Sequence, residues 1–494
     1  MTHAFSNFHK PLSKRDLVIL GVVTLLGGII YLIASQIVYR IGFPLDDSWI
    51  HLTFARNLAH HGEWSFRLGV PSAGSTSPLW SALLAIGFIL HLEPYIWPYF
   101  LGLLTMWALS VISEVTAQRL ISTYRPAFPW VGIFIIVEWH LLWAAMSGME
   151  TLLHALIATV VLSAIMMNSR RYLTLGLLVG ISVWVRPDGL TLLGPLFLAV
   201  LLNEKDMPAR LKALLQVLVG FGAVFLFYLL FNLLIGGTPM PNTFYAKQAE
   251  YANWQQMPIL ERLGELLLQL LVSPAFLLLP GMVLWIVKAI KTRDWGTLLA
   301  FAWSVGYMII YLLRLPVYQH GRYIIPAMPI FFLIGLLGMF SYVTVKREGR
   351  NFWMISTSWN LSLAMVTLLF IVLGARAYAR DVAFIEQEMV AAAKWAAANI
   401  PPDAILAVHD IGAMGYFDEH QLIDLAGLIT PEVIPFIRDE DRLAAYLDDK
   451  GADYLVAFAD LYPQMEVGRE VVFVTNGAIA TEADWVRMTI YRWK

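Results

Sequence analysis

Long hydrophobic runs separated by short polar segments make up most of the chain. Each run approaches the roughly 20 residues that a helix needs to cross a bilayer. The pattern predicts about eleven membrane-spanning helices, two of them short. They lie at residues 17–39, 95–117, 129–146, 151–167, 172–185, 190–202, 213–235, 273–287, 295–313, 323–343 and 352–373.

Lys and Arg cluster in every second connection between these runs, which makes those connections cytoplasmic. The clusters are Lys10, Lys14 and Arg15; Arg119 and Arg125; Arg170 and Arg171; Lys205, Arg210 and Lys212; Lys288, Lys291 and Arg293; and Lys346, Arg347 and Arg350. The N-terminus is therefore predicted to be cytoplasmic. The remaining connections are predicted to be extracytoplasmic.

The first outer loop, residues 40–94, begins with two adjacent carboxylates, Asp46 and Asp47. An apolar residue recurs at every fourth position after them, which predicts an amphipathic helix lying on the membrane with Asp46 as its N-cap. Residues 78–92, which follow Ser77 and open with a proline, predict a second juxtamembrane helix, and residues 258–271 predict a third.

Asp47 and His51 share one face of the predicted helix, since they are four residues apart. Such a pair can ligate a divalent cation, Mg²⁺ or Mn²⁺, if other ligands join it, or it can act as an acid/base couple. The alternative is that Asp46 only caps the helix and Asp47 only complements its dipole.

The other outer connections hold most of the unusual polar residues of the chain. Arginine and lysine cations suit a phosphate, and hydroxyls at a helix start suit an anion. Taken singly, each residue is also explained by a salt bridge or an interfacial anchor. The candidates are Ser75, Thr76, Ser77, Glu150, Arg186, Asp188, Asn242, Tyr245, Lys247, His320, Arg322 and Tyr323.

After residue 375 the charge rises, the long apolar runs stop, and helical segments alternate with strand-like ones at residues 405–410, 420–427, 453–458 and 471–476. Residues 376–494 are therefore predicted to be an extracytoplasmic α/β domain, separate from a membrane domain at residues 1–375. His409, Asp410 and Asp424 lie at predicted strand ends, where ligand contacts are often made. A role as buried turn residues explains them equally well.

Composition narrows the class of protein. Of 494 residues, 59% are hydrophobic and 14% are charged, which is typical of a polytopic membrane protein. The formal net charge of −2 gives no sign of a nucleic-acid partner. The chain has no cysteine, which excludes disulfides and thiolate chemistry.

Several motifs together resemble the GT-C superfamily of glycosyltransferases, in particular the bacterial terminal arabinofuranosyltransferases. More distantly, they resemble aminoarabinose transferases and protein O-mannosyltransferases. The motifs are, in chain order, DDSWIHLTFARN, GSTSPLW, SGMETLL, VRPDG, TPMPNTFYAK, HGRYIIP, HDIGAMGYF and IDLAGL.

The resemblance implies an inverting transfer of a sugar, arabinofuranose among the candidates, from a polyprenyl-monophosphate donor. The acceptor would be a hydroxyl of a cell-envelope glycan, lipid or protein outside the bacterial inner membrane. Asp46 or Asp47 would be the base, and the other would position the acceptor or share a cation. Arg186, Lys247, His320 and Arg322 would meet the donor phosphate. Glu150 enters the site on the SGMET match alone.

Two other functions fit the sequence. One is a transporter of lipid-linked sugars, although such proteins place polar groups at mid-membrane within inverted repeats, and this chain shows no repeat. The other is an inactive membrane scaffold that binds glycan through its outer domain. In the enzyme hypothesis, the same outer domain binds or guides the acceptor.

Overall fold

The computed structural model describes residues 12–124, 126–343, 350–459, 461–483 and 486–494. One apolar helix leads into the first outer loop, which contains two helices and a small antiparallel hairpin. These elements are, in chain order, α1 (Lys14–Val38), α2 (Asp47–His61), β1 (Ser65–Arg67), β2 (Val70–Pro71) and α3 (Pro78–Ile89).

Helices form nearly all of the next part of the chain. They are α4 (Ile96–Leu120), α5 (Trp130–Val137), α6 (Trp139–Ala145), α7 (Thr151–Met166), α8 (Tyr172–Val185), α9 (Leu193–Asn203), α10 (Met207–Gly236), α11 (Asn242–Glu250), α12 (Ile259–Leu271), α13 (Leu279–Thr292), α14 (Trp295–Arg314), α15 (Met328–Val343) and α16 (Arg350–Gln387). Short 3₁₀ segments lie at Pro187–Leu192, Ala252–Gln256, Pro274–Leu278 and Ile325–Ala327.

Seven helical segments of the described chain are long and apolar enough to cross a membrane: Lys14–Val38, Ile96–Leu120, Met207–Gly236, Pro274–Thr292, Trp295–Arg314, Ile325–Val343 and Phe352–Asn399. The four other predicted spans coincide with shorter helices, namely α5 with α6, α7, α8, and Pro187–Asn203. The chain is thus a multi-pass membrane protein, and eleven crossings stay a prediction. The predicted topology also rests on Lys10, Arg125, Lys346 and Arg347, which lie outside the described residues.

Buried carboxylates hold the starts of two of these shorter helices. Glu138 interrupts the predicted span 129–146, and its side chain accepts hydrogen bonds from the backbone N–H groups of His140 and Leu141 at the start of α6. Glu114, on α4, accepts from the N–H groups of Val131 and Gly132 at the start of α5. Helix starts carry N–H groups without intrahelical partners, and leaving them unpaired in an apolar interior is costly.

Two of the three predicted juxtamembrane helices form as expected. Ser77 caps α3 by accepting from the N–H of Trp80, Pro78 occupies its first turn, and α12 covers the third predicted segment. The amphipathic prediction for α2 is wrong. Its residues from Ser48 to Ala55 are buried on all sides, because the outer domain covers the face that was expected to meet water.

The C-terminal part folds into a five-stranded sheet with helices. Its elements are α17 (Met389–Asn399), β3 (Ile405–Val408), α18 (Ile411–Phe417), β4 (Gln421–Asp424), a 3₁₀ segment at Pro431–Phe436, α19 (Glu440–Lys450), β5 (Tyr454–Phe458), α20 (Pro463–Glu466), β6 (Glu470–Val474), α21 (Ala478–Ala483) and β7 (Met488–Arg492). The strand order is β4-β3-β5-β7-β6. Strands β4, β3 and β5 are parallel, and β7 runs antiparallel to β5 and β6. Helix α16 passes unbroken through the predicted boundary at residue 375, so that boundary stays a prediction.

Helix α18 fixes the outer domain to the first outer loop. The rings of Tyr416 and Phe417 each lie 4.7 Å, centroid to centroid, from the indole of Trp49 on α2. The guanidinium of Arg56 donates to the backbone carbonyls of Gly415 and Tyr416, at 3.3 Å and 2.8 Å. The outer domain therefore closes directly over the acidic start of α2.

Glycines bring α13 and α15 into close contact. A Cβ atom at Gly338 would lie 1.7 Å from the carbonyl oxygen of Gly281, and one at Gly281 would lie 2.3 Å from that of Gly335. Membrane helices gain van der Waals contact by such close approach, since lipid offers no hydrophobic driving force between them.

We expect Gly338→Ala to lower the free energy of unfolding by about 1–3 kcal/mol, because the two backbones must separate. Thermal unfolding in detergent, followed by tryptophan fluorescence, measures the effect as a fall in Tm. Gly306→Ala on α14 is the matched control, since a Cβ there meets nothing within 4 Å. Equal Tm values for the two variants would contradict the close crossing.

Candidate active site

The centre of the site is Asp47 at the start of α2. Its carboxylate lies 2.7 Å from the guanidinium of Arg322. Arg322 lies shortly before the 3₁₀ segment Ile325–Ala327, which leads into α15. Burial raises the pKa of Asp47, but the cations of Arg322 and Lys247 outweigh burial and lower that pKa to about 2. Asp47 is therefore an ionised carboxylate that faces cations.

Asp46 points the other way, into the outer domain. It occupies the N-cap position of α2 but makes no capping hydrogen bond there, so its predicted role as the cap of α2 is wrong. Instead its two oxygens accept from the backbone N–H groups of Gly412 and Ala413 in α18, at 2.7 Å and 2.8 Å. Burial and then the nearby Asp410 carboxylate raise the pKa of Asp46, and the two N–H groups oppose that rise.

A line of acidic and basic side chains continues from Asp47 to the Pro187–Leu192 segment. His51 lies 3.3 Å from Glu150, and Glu150 lies 2.8 Å from Arg186. Arg186 also lies 3.2 Å from Asp188, as the sequence allowed for a salt bridge across Pro187. Burial raises the pKa of Glu150, but His51 and Arg186 lower it to about 2. Carboxylates alternate with basic side chains along this buried line, so each carboxylate has a basic partner.

Two tyrosines that were not predicted as site residues form hydrogen bonds at the end of this line. The hydroxyls of Tyr307 and Tyr311, one turn apart on α14, both donate to Asp188, and Arg186 donates to the Tyr311 oxygen at 3.2 Å. The available signal was the i, i+4 spacing of two tyrosines within an otherwise apolar span.

An apolar cavity of about 390 Å³ adjoins the charged line. Apolar side chains such as Leu190, Met240 and Ile310 form much of its wall. At one end it shares residues with a small polar chamber that contains Asp47, His51, Glu150 and Arg322. The shared residues are Thr76, Arg186, Lys247 and Tyr323. Two cations and a phenol thus stand where an apolar space meets a polar one.

The ring of Tyr323 organises these cations. The ammonium of Lys247 lies 5.3 Å, the guanidinium carbon of Arg322 4.9 Å and that of Arg186 5.9 Å from its centroid. The Tyr311 ring stacks on Tyr323 at 5.6 Å between centroids. An anion at this junction would meet all three cations.

The three hydroxyl residues of the first outer loop, Ser75, Thr76 and Ser77, have different surroundings. Thr76 lines both the cavity and the chamber. The Ser75 hydroxyl lies 3.0 Å from that of Ser81, which in turn lies 2.9 Å from His51 Nδ1. Ser77 is taken up by capping α3.

Other candidates lie apart from the chamber. His320 lies 2.8 Å from Asp381 of α16 and packs against tryptophan rings. Asn242 donates to the Leu428 carbonyl at 2.9 Å. Tyr245 lines neither cavity, although it packs against Phe244, which lines the apolar one.

The three outer-domain candidates have different surroundings. Asp410 lies near Asp46 and Asp47; burial raises its pKa, His409 lowers it and Asp47 raises it. His409 lies 2.7 Å from the Tyr462 hydroxyl and 3.6 Å from Glu250. Asp424 accepts from the N–H groups of Ala426 and Ile429, as a turn residue does.

The residues present do not fit a divalent cation held by Asp47 and His51. Asp47 pairs with Arg322, and the two ring nitrogens of His51 face Ser81 and Glu150. Among the described residues, no group of three or more His, Asp or Glu side chains is arranged to hold a metal ion. Hard cations need several oxygen ligands at once.

The chain shares its fold with solved structures that are 10% to 15% identical in sequence, and this is the fold that the motif resemblance implied. ArnT from Cupriavidus metallidurans, solved bound to undecaprenyl phosphate, is similar with a TM-score of 0.60 and 14% identity, over 98% of this chain and 99% of that one. The arabinofuranosyltransferase AftD from Mycobacteria has a TM-score of 0.55 and 15% identity, over 98% of this chain and 40% of AftD.

An archaeal oligosaccharyltransferase from Archaeoglobus fulgidus in its apo form is also similar, with a TM-score of 0.54 and 10% identity over 90% of this chain and 70% of that one. Residues 380–492 match a family model described as a domain of unknown function, DUF8728. No curated protein matches the sequence.

We expect Asp46→Ala to loosen the outer domain by removing the hydrogen bonds to α18. Loss of a capping side chain to alanine costs about 1 kcal/mol. Hydrogen exchange at the amides of Gly412 and Ala413 should speed up by severalfold. Asp439→Ala, which removes the cap of α19 within the outer domain, is the control and should leave these two amides unchanged. Unchanged exchange in Asp46→Ala would show that the contact does not hold α18.

Proposed function

We propose that the protein is an inverting membrane glycosyltransferase that moves a sugar from a polyprenyl-monophosphate donor to a hydroxyl acceptor. One observation carries the proposal: the apolar cavity ends on Arg186 and Lys247, beside the ionised Asp47. An apolar chain, a phosphate and a base are the three things that such a reaction needs in one place.

The cavity suits the donor in chemistry. Its apolar wall would take the first isoprene units, because burying each CH₂ group contributes about 0.8 kcal/mol. Arg186 and Lys247 would bind the phosphate oxygens through charge-assisted hydrogen bonds. Support comes from the fold shared with ArnT, whose structure was solved with undecaprenyl phosphate.

Asp47 would act as the general base. It accepts the proton of the acceptor hydroxyl while that oxygen attacks the anomeric carbon, and the bond from that carbon to the phosphate oxygen breaks with its electron pair on the phosphate. Attack from the side opposite the leaving group inverts the anomeric centre. The cations around Tyr323 stabilise the charge that develops on the phosphate.

Arg322 would link donor binding to the readiness of the base. It pairs with Asp47 and donates to the Tyr323 hydroxyl at 3.0 Å. A phosphate beside Tyr323 would draw Arg322 away from Asp47, which raises the pKa of Asp47 and makes it a stronger base. The base would then be most basic only when donor is bound.

Asp46 would be a positioning residue, and Glu150 would orient Arg186 and His51. Of the further candidates, Asp188 would hold Arg186, and Thr76 would lie beside the donor. We propose an extracytoplasmic reaction at the bacterial inner membrane, with a cell-envelope glycan, lipid or protein as the acceptor. Arabinofuranose is the first sugar to test, given the motif resemblance and the fold shared with AftD.

We expect Asp47→Asn to abolish transfer while donor binding persists, because the amide keeps the shape and loses the base. The assay uses a panel of synthetic polyprenyl-phosphate sugars that includes arabinofuranose, with a cell-envelope glycan extract as the acceptor. Asp449→Asn changes an exposed carboxylate that is 76% accessible and should match the wild type. Near-normal turnover by Asp47→Asn would remove Asp47 from the mechanism.

The pH dependence of kcat/KM tests the Arg322 pairing. The ionised form of Asp47 is the active one, and Arg322 lowers its pKa. In Arg322→Gln burial is less opposed, so the acid limb of kcat/KM should move up by about one to three pH units. Arg492→Gln removes the arginine of an exposed ion pair and should leave the limb in place. If the acid limb of kcat/KM stays in place in Arg322→Gln, Arg322 does not set the pKa of the base.

A further inference from the structure

A further cavity, of about 490 Å³ and with a lining of polar and apolar residues, lies between the membrane domain and the outer domain. We call it the outer cleft. The last turns of α2 form one wall, the β1–β2 hairpin a second, and the segment from α18 to β4 the third. His60, Arg67, Asp418 and Glu419 are among its lining residues. The donor, the base and the proposed phosphate site do not use it.

The outer cleft lies along α2 from the catalytic chamber. Their nearest lining residues on α2 are His51 in the chamber and Arg56 in the cleft, about 7.5 Å apart along the helix at 1.5 Å per residue. Leu428 lines the chamber and the next residue, Ile429, lines the cleft, so the divide between the two cavities is thin. The far ends, Asp47 and His60, are about 20 Å apart along α2, so a ligand that reached from one to the other would have to be a chain of several units.

One residue that lines the cleft carries a buried oxygen that has no hydrogen-bond partner among the described residues. Asp418 has a side chain that is only 1% exposed, and its Oδ1 atom contacts His420. Its Oδ2 atom is buried and, among the described residues, accepts no hydrogen bond. A buried carboxylate oxygen left unpaired is costly, so a donor from a ligand would relieve it.

The lining contains both donors and acceptors. His60, His61 and Arg67 are exposed and offer N–H groups, whereas Asp418 and Glu419 offer oxygens. The two carboxylates would repel a polyanion, and a bound lipid chain would leave the polar groups without hydrogen-bond partners. Sugar hydroxyls donate and accept at once, which matches a lining of mixed character.

We propose that the outer cleft binds a neutral oligosaccharide segment of the acceptor, some distance from the hydroxyl that reacts. Calling this ligand the acceptor rests on the proposed function of glycosyl transfer. Binding of the oligosaccharide itself does not depend on catalysis. Asp418 accepts from a sugar hydroxyl in the cleft, and both domains contribute to the site. The enzyme therefore selects for acceptor length as well as for the terminal sugar.

The experiment measures binding of defined oligosaccharides to the full chain in lipid nanodiscs. The probes are linear arabino-, manno-, gluco- and galacto-oligosaccharides, from the monosaccharide to the hexasaccharide, titrated by calorimetry without donor. We expect one series to bind, with affinity rising with length. In that series Asp418→Asn should weaken binding about tenfold or more, because a hydrogen bond to a charged group is lost.

Three variants make the result specific. Asp418→Asn should keep its Tm, since the replaced Oδ2 atom has no partner in the described chain. Leu68→Trp, at a cleft residue that is 48% exposed, should block binding by filling the opening. Asp449→Asn should bind as the wild type does.

The outcomes separate this inference from the proposed function. If no oligosaccharide binds, or if Asp418→Asn and Leu68→Trp bind like the wild type, the outer cleft is not an acceptor site, even where transfer to short acceptors is intact. If length-dependent binding is lost in both variants, the inference stands, whether or not transfer has been detected.

Discussion

The structure depends on buried carboxylates that satisfy the free N–H groups at helix starts. Glu114 does so for α5 and Glu138 for α6, within the membrane domain. Asp46 does the same for α18, across the boundary between the two domains. Because unpaired N–H groups cannot be left in an apolar interior, these three contacts fix where short helices begin. The last of them also fixes where the outer domain closes over the site.

Adjacent positions in the chain thereby acquire different chemistry. Asp46 meets two backbone N–H groups and a neighbouring carboxylate, whereas Asp47 meets two cations. Burial favours the neutral form of both, and the surrounding charges decide the outcome. Two neighbouring aspartates at one helix start thus have different roles. Asp46 joins the two domains, and Asp47 is placed for proton transfer.

The sequence predicted those parts of the site that depend on local pattern. The strands β3 to β6, the capped helix α3 and the Arg186–Asp188 pair all followed from short motifs. The grouping of Glu150, Arg186, Lys247, Arg322 and Tyr323 around Asp47 followed from their shared side of the membrane. Contacts between distant residues did not: Asp46 meets a partner 366 residues away, and His320 turns to Asp381. Strand β7 was missed because its five residues carry little alternation.

The central claim is that a lipid phosphate lies between Arg186 and Lys247, beside Asp47. A cryo-EM structure of the protein in nanodiscs with undecaprenyl phosphate tests it most directly. The account predicts phosphate density within hydrogen-bonding distance of both cations, with the prenyl chain in the cavity of about 390 Å³. Lipid found only in the apolar groove between Trp130 and Leu368, with Arg186 still paired to Glu150 and Arg322 to Asp47, would contradict it.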